Sequence, residues 1–321
     1  MSADFIGVDV GGTKVSLAAM NGGKLSTPQI TPTEHAGSRA LVDQLAGMIE
    51  AAREGSTTAV GIGIPSAVEF ATGRALSGVN VPLQGVPLRA TLTERLGLPV
   101  FVDNDANVAA LAEACDPDGK LIVSHLVMLT VGTGVGAGVV LGGRPFRGAT
   151  GAGAEIGHTI IGLDLSEGAP DAAERFPQPG SLEALASGRA LDRLGGDSAR
   201  AQPESVLGHL AVSGHEVEGA DVVAAARKGD QEAVRLVRMI GQRLGIGIAN
   251  VVNIFDPEEV VVGGGVSTAG DLLLGPAADV ARQYMLPGVG GRTEIRLARY
   301  GVEAGVRGAA LLAVSESVAA S

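Results

Sequence analysis

Short apolar runs alternate along the chain with longer stretches in which apolar residues recur at helical spacing. Phe5–Asp9 reads as a buried strand and Lys14–Met20 as a second, joined by Gly11-Gly12-Thr13 in a hairpin pattern. Ala40–Arg53 then places Leu41, Leu45, Met48 and Ile49 on one helical face. Ala59–Ile64 is a β-rich run stopped by Pro65, Leu88–Leu96 a helix, Val100–Val102 a strand and Val108–Ala114 a helix. This alternation predicts an α/β architecture. Cys115-Asp-Pro-Asp-Gly-Lys120 breaks any element. It sets an expected boundary between a small domain, 1–118, and a larger one, 119–321, with the last helix allowed to pack back on the first domain. Beyond it, Leu126–Val131 and Gly138–Leu141, joined by another glycine turn, repeat the amino-terminal strand–turn–strand unit. Ser166–Gly180 is expected as loop, and Ser181–Leu194, Ala220–Ala226 and Glu232–Val251 as helices. Asn253–Val262 reads as turn and strand ending at Gly263–Gly265, and Gly305–Val314 as a final helix.

Composition narrows the function. Glycine supplies 49 of 321 residues, roughly twice the usual 7 % share, yet 45% apolar residues argue for a packed globule over disorder. A formal net charge of −11 and only eight aromatic residues, none of them Trp, disfavour nucleic acid as a partner. A single cysteine, Cys115, excludes an internal disulfide framework and a cysteine-rich metal cluster. The amino terminus carries no readable signal peptide. Leu121–Gly143 lacks Asp, Glu, Lys and Arg, but its alternating glycines suit a turn between strands better than a membrane span. A cytoplasmic protein is expected.

Candidate chemistry gathers on the glycine turns. Successive backbone N–H groups in such turns form anion-binding nests, and Asp9-Val-Gly-Gly-Thr-Lys14 adds a carboxylate, a hydroxyl and a cation. An ordinary hairpin explains the same glycines. The P-loop pattern is absent, since Gly23-Lys24 and Gly119-Lys120 are each followed by Leu. Gly132, Gly134 and Ala137 match a relaxed dinucleotide pattern, but a strand follows where a helix is required. Asp103-Asn-Asp-Ala-Asn107 follows a strand and opens a helix, so Asp105 sits where α/β sheets build sites and could take a proton from a substrate hydroxyl. A helix cap needs only one of those residues. Glu155 could accept hydrogen bonds from sugar hydroxyls; His158 reads as a ligand or as a satisfied buried histidine. Glu183 reads as a first-turn acid. His35, His125, His209 and His215 are isolated and receive no role.

Five motifs in order resemble the ROK family of sugar kinases and sugar-responsive repressors, within the actin-like ATPase (ribonuclease H-like) fold, from about Phe5 to Leu312. They are Gly7–Lys14, Val102–Asn107, Thr130–Gly138, Gly153–His158 and Val261–Gly265. The resemblance implies a two-domain α/β fold with duplicated strand–glycine turn–strand units. It also implies an ATP-dependent hexose kinase, most like a glucokinase, with Asp105 as catalytic base. Gly73, Asn80, Asn104, Asp105, Glu155, His158 and Glu183 are then expected to hold the sugar. Asp9, Gly11, Gly12, Thr13, Lys14, Gly132, Thr133, Gly134, Gly264 and Gly265 are expected to hold ATP, with Mg2+ near Asp9. A homodimer is implied as well.

The chain departs from the family in one respect. Most members carry a zinc module, a His followed by Cys-x-Cys-Gly-x-x-Gly-Cys-x-Glu. Here Glu174, Phe176 and Ser181 stand at the cysteine positions, while Gly180 and Glu183 are kept. The thiolate ligands are missing, so no structural zinc is expected. Two alternatives stay open. One is an N-acetylhexosamine kinase, acting on N-acetylmannosamine or N-acetylglucosamine. The other is a non-catalytic sugar-binding or regulatory protein, although only four residues precede the first strand where a repressor needs a helix-turn-helix.

Overall fold

The computed structural model describes residues 4–78 and 80–319; Val79, inside the Gly78–Pro82 motif, lies outside them. The chain divides into two compact units. The first joins the segment ending at Met128 to Gly138–Ala154 and to the segment beginning at Arg299. The second comprises Leu129–Ala137 and Glu155–Ala298.

In the first unit, β1 (Asp4–Val10) pairs antiparallel with β2 (Lys14–Asn21), as the alternation around Gly11–Thr13 predicts. β3 (Lys24–Leu25) and β4 (Gln29–Pro32) extend that edge. After α1 (Ser38–Ala52) comes β5 (Thr57–Ile64), which runs parallel to β1. A small hairpin, β6 (Val68–Glu69) with β7 (Arg74–Ala75), precedes α2 (Leu88–Leu96). β8 (Val100–Asn104) then lies parallel to β5 and runs without a loop into α3 (Asp105–Glu113). The sheet order is β3-β2-β1-β5-β8 with β4 on β2.

One face of this sheet buries Ile6, Val8, Ile62 and Ile64 with Leu41, Leu45 and Ile49 of α1 and Leu88 and Leu92 of α2. The other face is closed by a helix from the far end of the chain. Gly7 of β1 and Gly61 of β5 are register partners. A methyl group on Gly7 would run into the Val306 carbonyl, and one on Gly61 into the Ala309 carbonyl. Paired glycines thus cut a notch in which the last helix lies on the sheet backbone. That helix is apolar nearly all round, as a helix with few exposed faces must be.

β9 (Leu126–Val131) and β10 (Val135–Leu141) form the second glycine hairpin, followed by β11 (Arg144–Pro145). The second unit adds α4 (Leu182–Ala186), α5 (Gly188–Ala201), α6 (Val206–Val212), α7 (Gly219–Arg227) and α8 (Gln231–Phe255). β12 (Glu259–Gly263), α9 (Asp271–Tyr284) and β13 (Glu294–Leu297) complete it. α10 (Ala304–Ala319) is the helix lying in the glycine notch of the first unit. The second sheet runs β11-β10-β9-β12-β13, with β12 and β13 parallel. The expected helix over Ser181–Leu194 is two helices, because Ser187 is extended (ψ 173) and its hydroxyl caps α5. The helix expected over Glu232–Val251 continues to Phe255, where Asp256 turns left-handed (φ 43) ahead of Pro257. α6, α9 and β13 are not predicted by the pattern; in α9, Gly275-Pro276 reads as a breaker but lies inside the helix. Among the described residues no helix is long and apolar enough to cross a membrane.

The notch makes a testable claim. Gly61→Ala forces a methyl group into backbone and is expected to destabilise the fold by about 1–3 kcal/mol in urea unfolding. Gly47→Ala, in the middle of α1 with nothing within 4 Å of the added methyl, is expected to stabilise by roughly 0.5–1 kcal/mol. Equal effects from the two substitutions would refute the notch.

Candidate active site

The first glycine turn is held from behind. The Gly11 N–H donates to the Lys14 carbonyl at 2.8 Å, closing the hairpin. The Gly11 carbonyl accepts the Thr33 hydroxyl at 2.7 Å, and the Thr13 carbonyl accepts the Thr33 N–H at 3.1 Å. His35 Nε2 lies 2.9 Å from the Gly12 carbonyl, so that nitrogen donates. These bonds commit the carbonyls of Gly11, Gly12 and Thr13 and fix the backbone of the turn. Asn80 is exposed and stands beside Gly12, with Cβ and carbonyl 3.5 Å from where a Gly12 side chain would begin.

Asp9 ends β1 against the first turn of α10, where a Cβ on Gly305 would come within 2.5 Å of its carboxylate. Burial pushes Asp9 up to about 6, the negative charge of Asp105 adds to this, and Lys14 opposes it. Asp105 is the first residue of α3. Asn104 caps that helix: its Oδ1 accepts N–H bonds from Ala106 at 2.9 Å and Asn107 at 3.2 Å, and its Nδ2 donates to the Ser66 carbonyl. The cap reading of this segment is therefore realised by Asn104. Gly73 sits in the β6–β7 turn with φ 65, packed against Arg89.

In the second unit the Gly132 carbonyl accepts the Gly188 N–H at 2.7 Å, so the amino terminus of α5 braces the second turn. Glu183 braces it too. Its Oε2 accepts the Val135 N–H at 2.8 Å, and a side chain on Gly134 would collide with the carboxylate. Glu155 is exposed, with its Oε2 3.9 Å from His158 Nε2, while His158 Nδ1 is buried without a hydrogen-bond partner among the described residues. Phe176, at a cysteine position of the zinc pattern, presents its ring edge-on to His158 at 5.4 Å. Ser181, at another, is fully buried and caps α4. Ile161 and Gly162 donate to the Gly180 carbonyl, and Gln178 exchanges two 2.7 Å bonds with the Ala173 backbone. These contacts order the stretch. Among the described residues no group of three or more His, Cys, Asp or Glu side chains could hold a metal. Cys115 is buried, and burial pushes its thiol up to about 11.

A cavity of about 690 Å³ opens beside the second turn. It is lined by Gly132, Thr133, Gly188, Arg189, Asp192, Glu218, Gly219, Ala220, Val223, Ala224, Arg227, Gly265, Val266 and Thr268. A lining that mixes apolar Val223 and Val266 with charged Arg189, Asp192, Glu218 and Arg227 suits a nucleoside. Gly264 (φ 87) sits against the Val131 backbone, next to this lining. Sequence reading missed Arg189, Asp192, Glu218 and Arg227, which lie on α5 and at the two ends of α7 with no motif to join them.

The pattern of the ROK family matches residues 5–316. The chain belongs to the ROK family. It is 36% identical over 313 residues to a glucokinase of Halalkalibacterium halodurans, covering 95% of this chain and 93% of that one. Its fold superposes on a ROK hexokinase of Thermus thermophilus with TM-score 0.79 at 36% identity, covering 98% of this chain and 99% of that chain. A ROK family glucokinase of Streptomyces griseus, solved in complex with glucose and AMPPNP, gives TM-score 0.76 at 33% identity, covering 98% and 100%. The chain accordingly has the actin-like ATPase fold of these ROK sugar kinases.

Asp9 gives the first ROK motif a pH signature. With its folded value at about 6 and its ordinary value near 3.8, the folded state binds this proton more tightly than the unfolded chain. Stability therefore rises as pH falls from 6 towards 4, and the full cost of the buried charge stands above 6. Asp9→Asn is expected to stabilise the protein at pH 7 by on the order of 2 kcal/mol and to lose that advantage below about pH 4. Urea unfolding at pH 4, 5, 6 and 7 checks this. A pH-independent difference would rule out a buried, charge-repelled Asp9.

Proposed function

We propose that this chain is an ATP-dependent sugar kinase of the glucokinase kind, transferring the γ-phosphate of ATP to a hexose hydroxyl. The observation that carries the reading is the pairing, within one unit, of the Asp105 carboxylate with Asp9 at the mouth of the braced glycine turn. The two glucokinase relatives support glucose as the sugar.

Asp105 accepts the proton of the sugar hydroxyl as its oxygen attacks phosphorus. The new O–P bond forms while the bond to the ADP oxygen breaks, and ADP leaves with that electron pair. Asn104 keeps Asp105 aimed by capping α3, and Glu155, His158 and Glu183 hold sugar hydroxyls. Gly11–Lys14 and Gly132–Gly134 bind phosphates, and the cavity lined by Gly132, Thr133 and Gly265 takes the nucleoside. Mg2+ fits the oxygen donors here, since it is usually held by one or two carboxylates plus the nucleotide's phosphates. Asp9 would hold it, directly or through water, and the ion would neutralise developing phosphate charge. The same reading places the enzyme in the cytoplasm as a homodimer, so gel filtration should find twice the chain mass.

Coupled measurement of ADP release tests the reaction with Mg-ATP and a panel of glucose, mannose, N-acetylglucosamine and N-acetylmannosamine. Glucose should support turnover, and Asp105→Asn should lower kcat by about 10²–10⁴-fold. No sugar-stimulated release with any of the panel, or full activity in Asp105→Asn, would sink the proposal. The purified protein should contain far less than one zinc per chain, and a zinc chelator should leave turnover unchanged while removal of Mg2+ abolishes it.

A further inference from the structure

Asp103, immediately before the Asn104-Asp105 pair, is 2% exposed. Its Oδ1 accepts the Asn104 N–H at 2.8 Å and Asn107 Nδ2 at 2.9 Å. Its Oδ2 accepts Arg147 Nε at 2.7 Å. The same guanidinium donates to Glu316 Oε1 on α10 at 3.0 Å and stacks over the Phe70 ring, 3.4 Å from its centroid. A buried carboxylate demands such a partner, and a planar fork can serve two acids and a ring at once where an ammonium cannot.

Arg147 is tied at its backbone as well. Its carbonyl accepts the Gly153 N–H at 3.0 Å, and a Cβ on Gly153 would come within 3.0 Å of that carbonyl. Gly148 and Gly151, both at positive φ, shape the turn that leads the chain to Glu155. One residue is therefore fixed to the segment that aims Asp105 and to the turn that precedes the proposed sugar ligands.

Resting on the sugar-kinase reading, we propose that Arg147 is a positioning residue: through Asp103 it sets the direction of Asp105, and through Gly153 it fixes the Gly148–Gly153 turn. Its effect should fall on kcat, because misplacing a reacting group by about 1 Å costs on the order of 100-fold in rate.

Three variants, Arg147→Met, Arg147→Lys and the double variant Asp103→Asn/Arg147→Met, are compared with the intact protein in kcat, KM for ATP, thermal midpoint and backbone amide exchange. In Arg147→Met, kcat should fall about 100-fold with KM for ATP within twofold, and Arg147→Lys should recover only part of the loss. Amide exchange should quicken at 104–107 and at 148–153 together. The double variant removes the uncompensated charge, so its thermal midpoint should recover while kcat stays at least tenfold low. The proposal is overturned if kcat recovers with the midpoint, if Arg147→Met keeps full kcat, or if exchange quickens in only one segment. An intact protein that turns over no sugar would refute the kinase reading alone, since the exchange arm still judges the coupling.

Discussion

Two glycine turns, one in each unit, are held by hydrogen bonds to their carbonyls, and the local structure around each depends on those bonds. In the first turn Thr33 and His35 take the carbonyls of Gly11, Gly12 and Thr13. In the second, the first N–H of α5 takes the Gly132 carbonyl and Glu183 takes the Val135 N–H. The two turns share a sequence pattern but not a bracing device. Thr33 and His35, just past β4, serve one, and a helix terminus serves the other. The break between α4 and α5 at Ser187 follows from this, because an unbroken helix could not offer a free amino terminus to Gly132.

The acidic cluster in the first unit works against stability. Asp9 is buried and repelled by Asp105, and Lys14 partly offsets this. A fold selected for stability alone would replace it. Asp103 illustrates the other way to bury an acid. Every contact of its carboxylate is a directed hydrogen bond, and Arg147 balances its charge. The two acids lie on β1 and β8 of one sheet, with β5 between them.

Much of the site was legible because its chemistry is local in sequence. Gly11-Gly12-Thr13, Asn104-Asp105 and Gly132-Thr133-Gly134 each lie within a few residues of a strand end, and strand ends are readable from apolar runs. The elements the pattern missed are those decided by distant packing. α9 carries Gly275-Pro276, a local breaker that packing against α8 overrides. His35 looked isolated because its partner, the Gly12 carbonyl, is a backbone atom on another element. Arg189, Asp192, Glu218 and Arg227 reach one cavity from α5 and α7, and no spacing rule links them.

By itself the sequence determined the α/β class, the duplicated glycine hairpins, the order of the ROK motifs and the loss of the zinc cysteines, since all of these are properties of contiguous residues. The tertiary structure alone decided how α10 lies in the Gly7–Gly61 notch, how Phe176, Ser181 and Gln178 order a stretch without thiolates, and how Arg147 ties Asp103 to Glu316. Those outcomes depend on distances between residues far apart in the chain, set by which backbones can approach closely enough to touch. Periodicity carries the faces of helices and strands; it does not carry which faces meet.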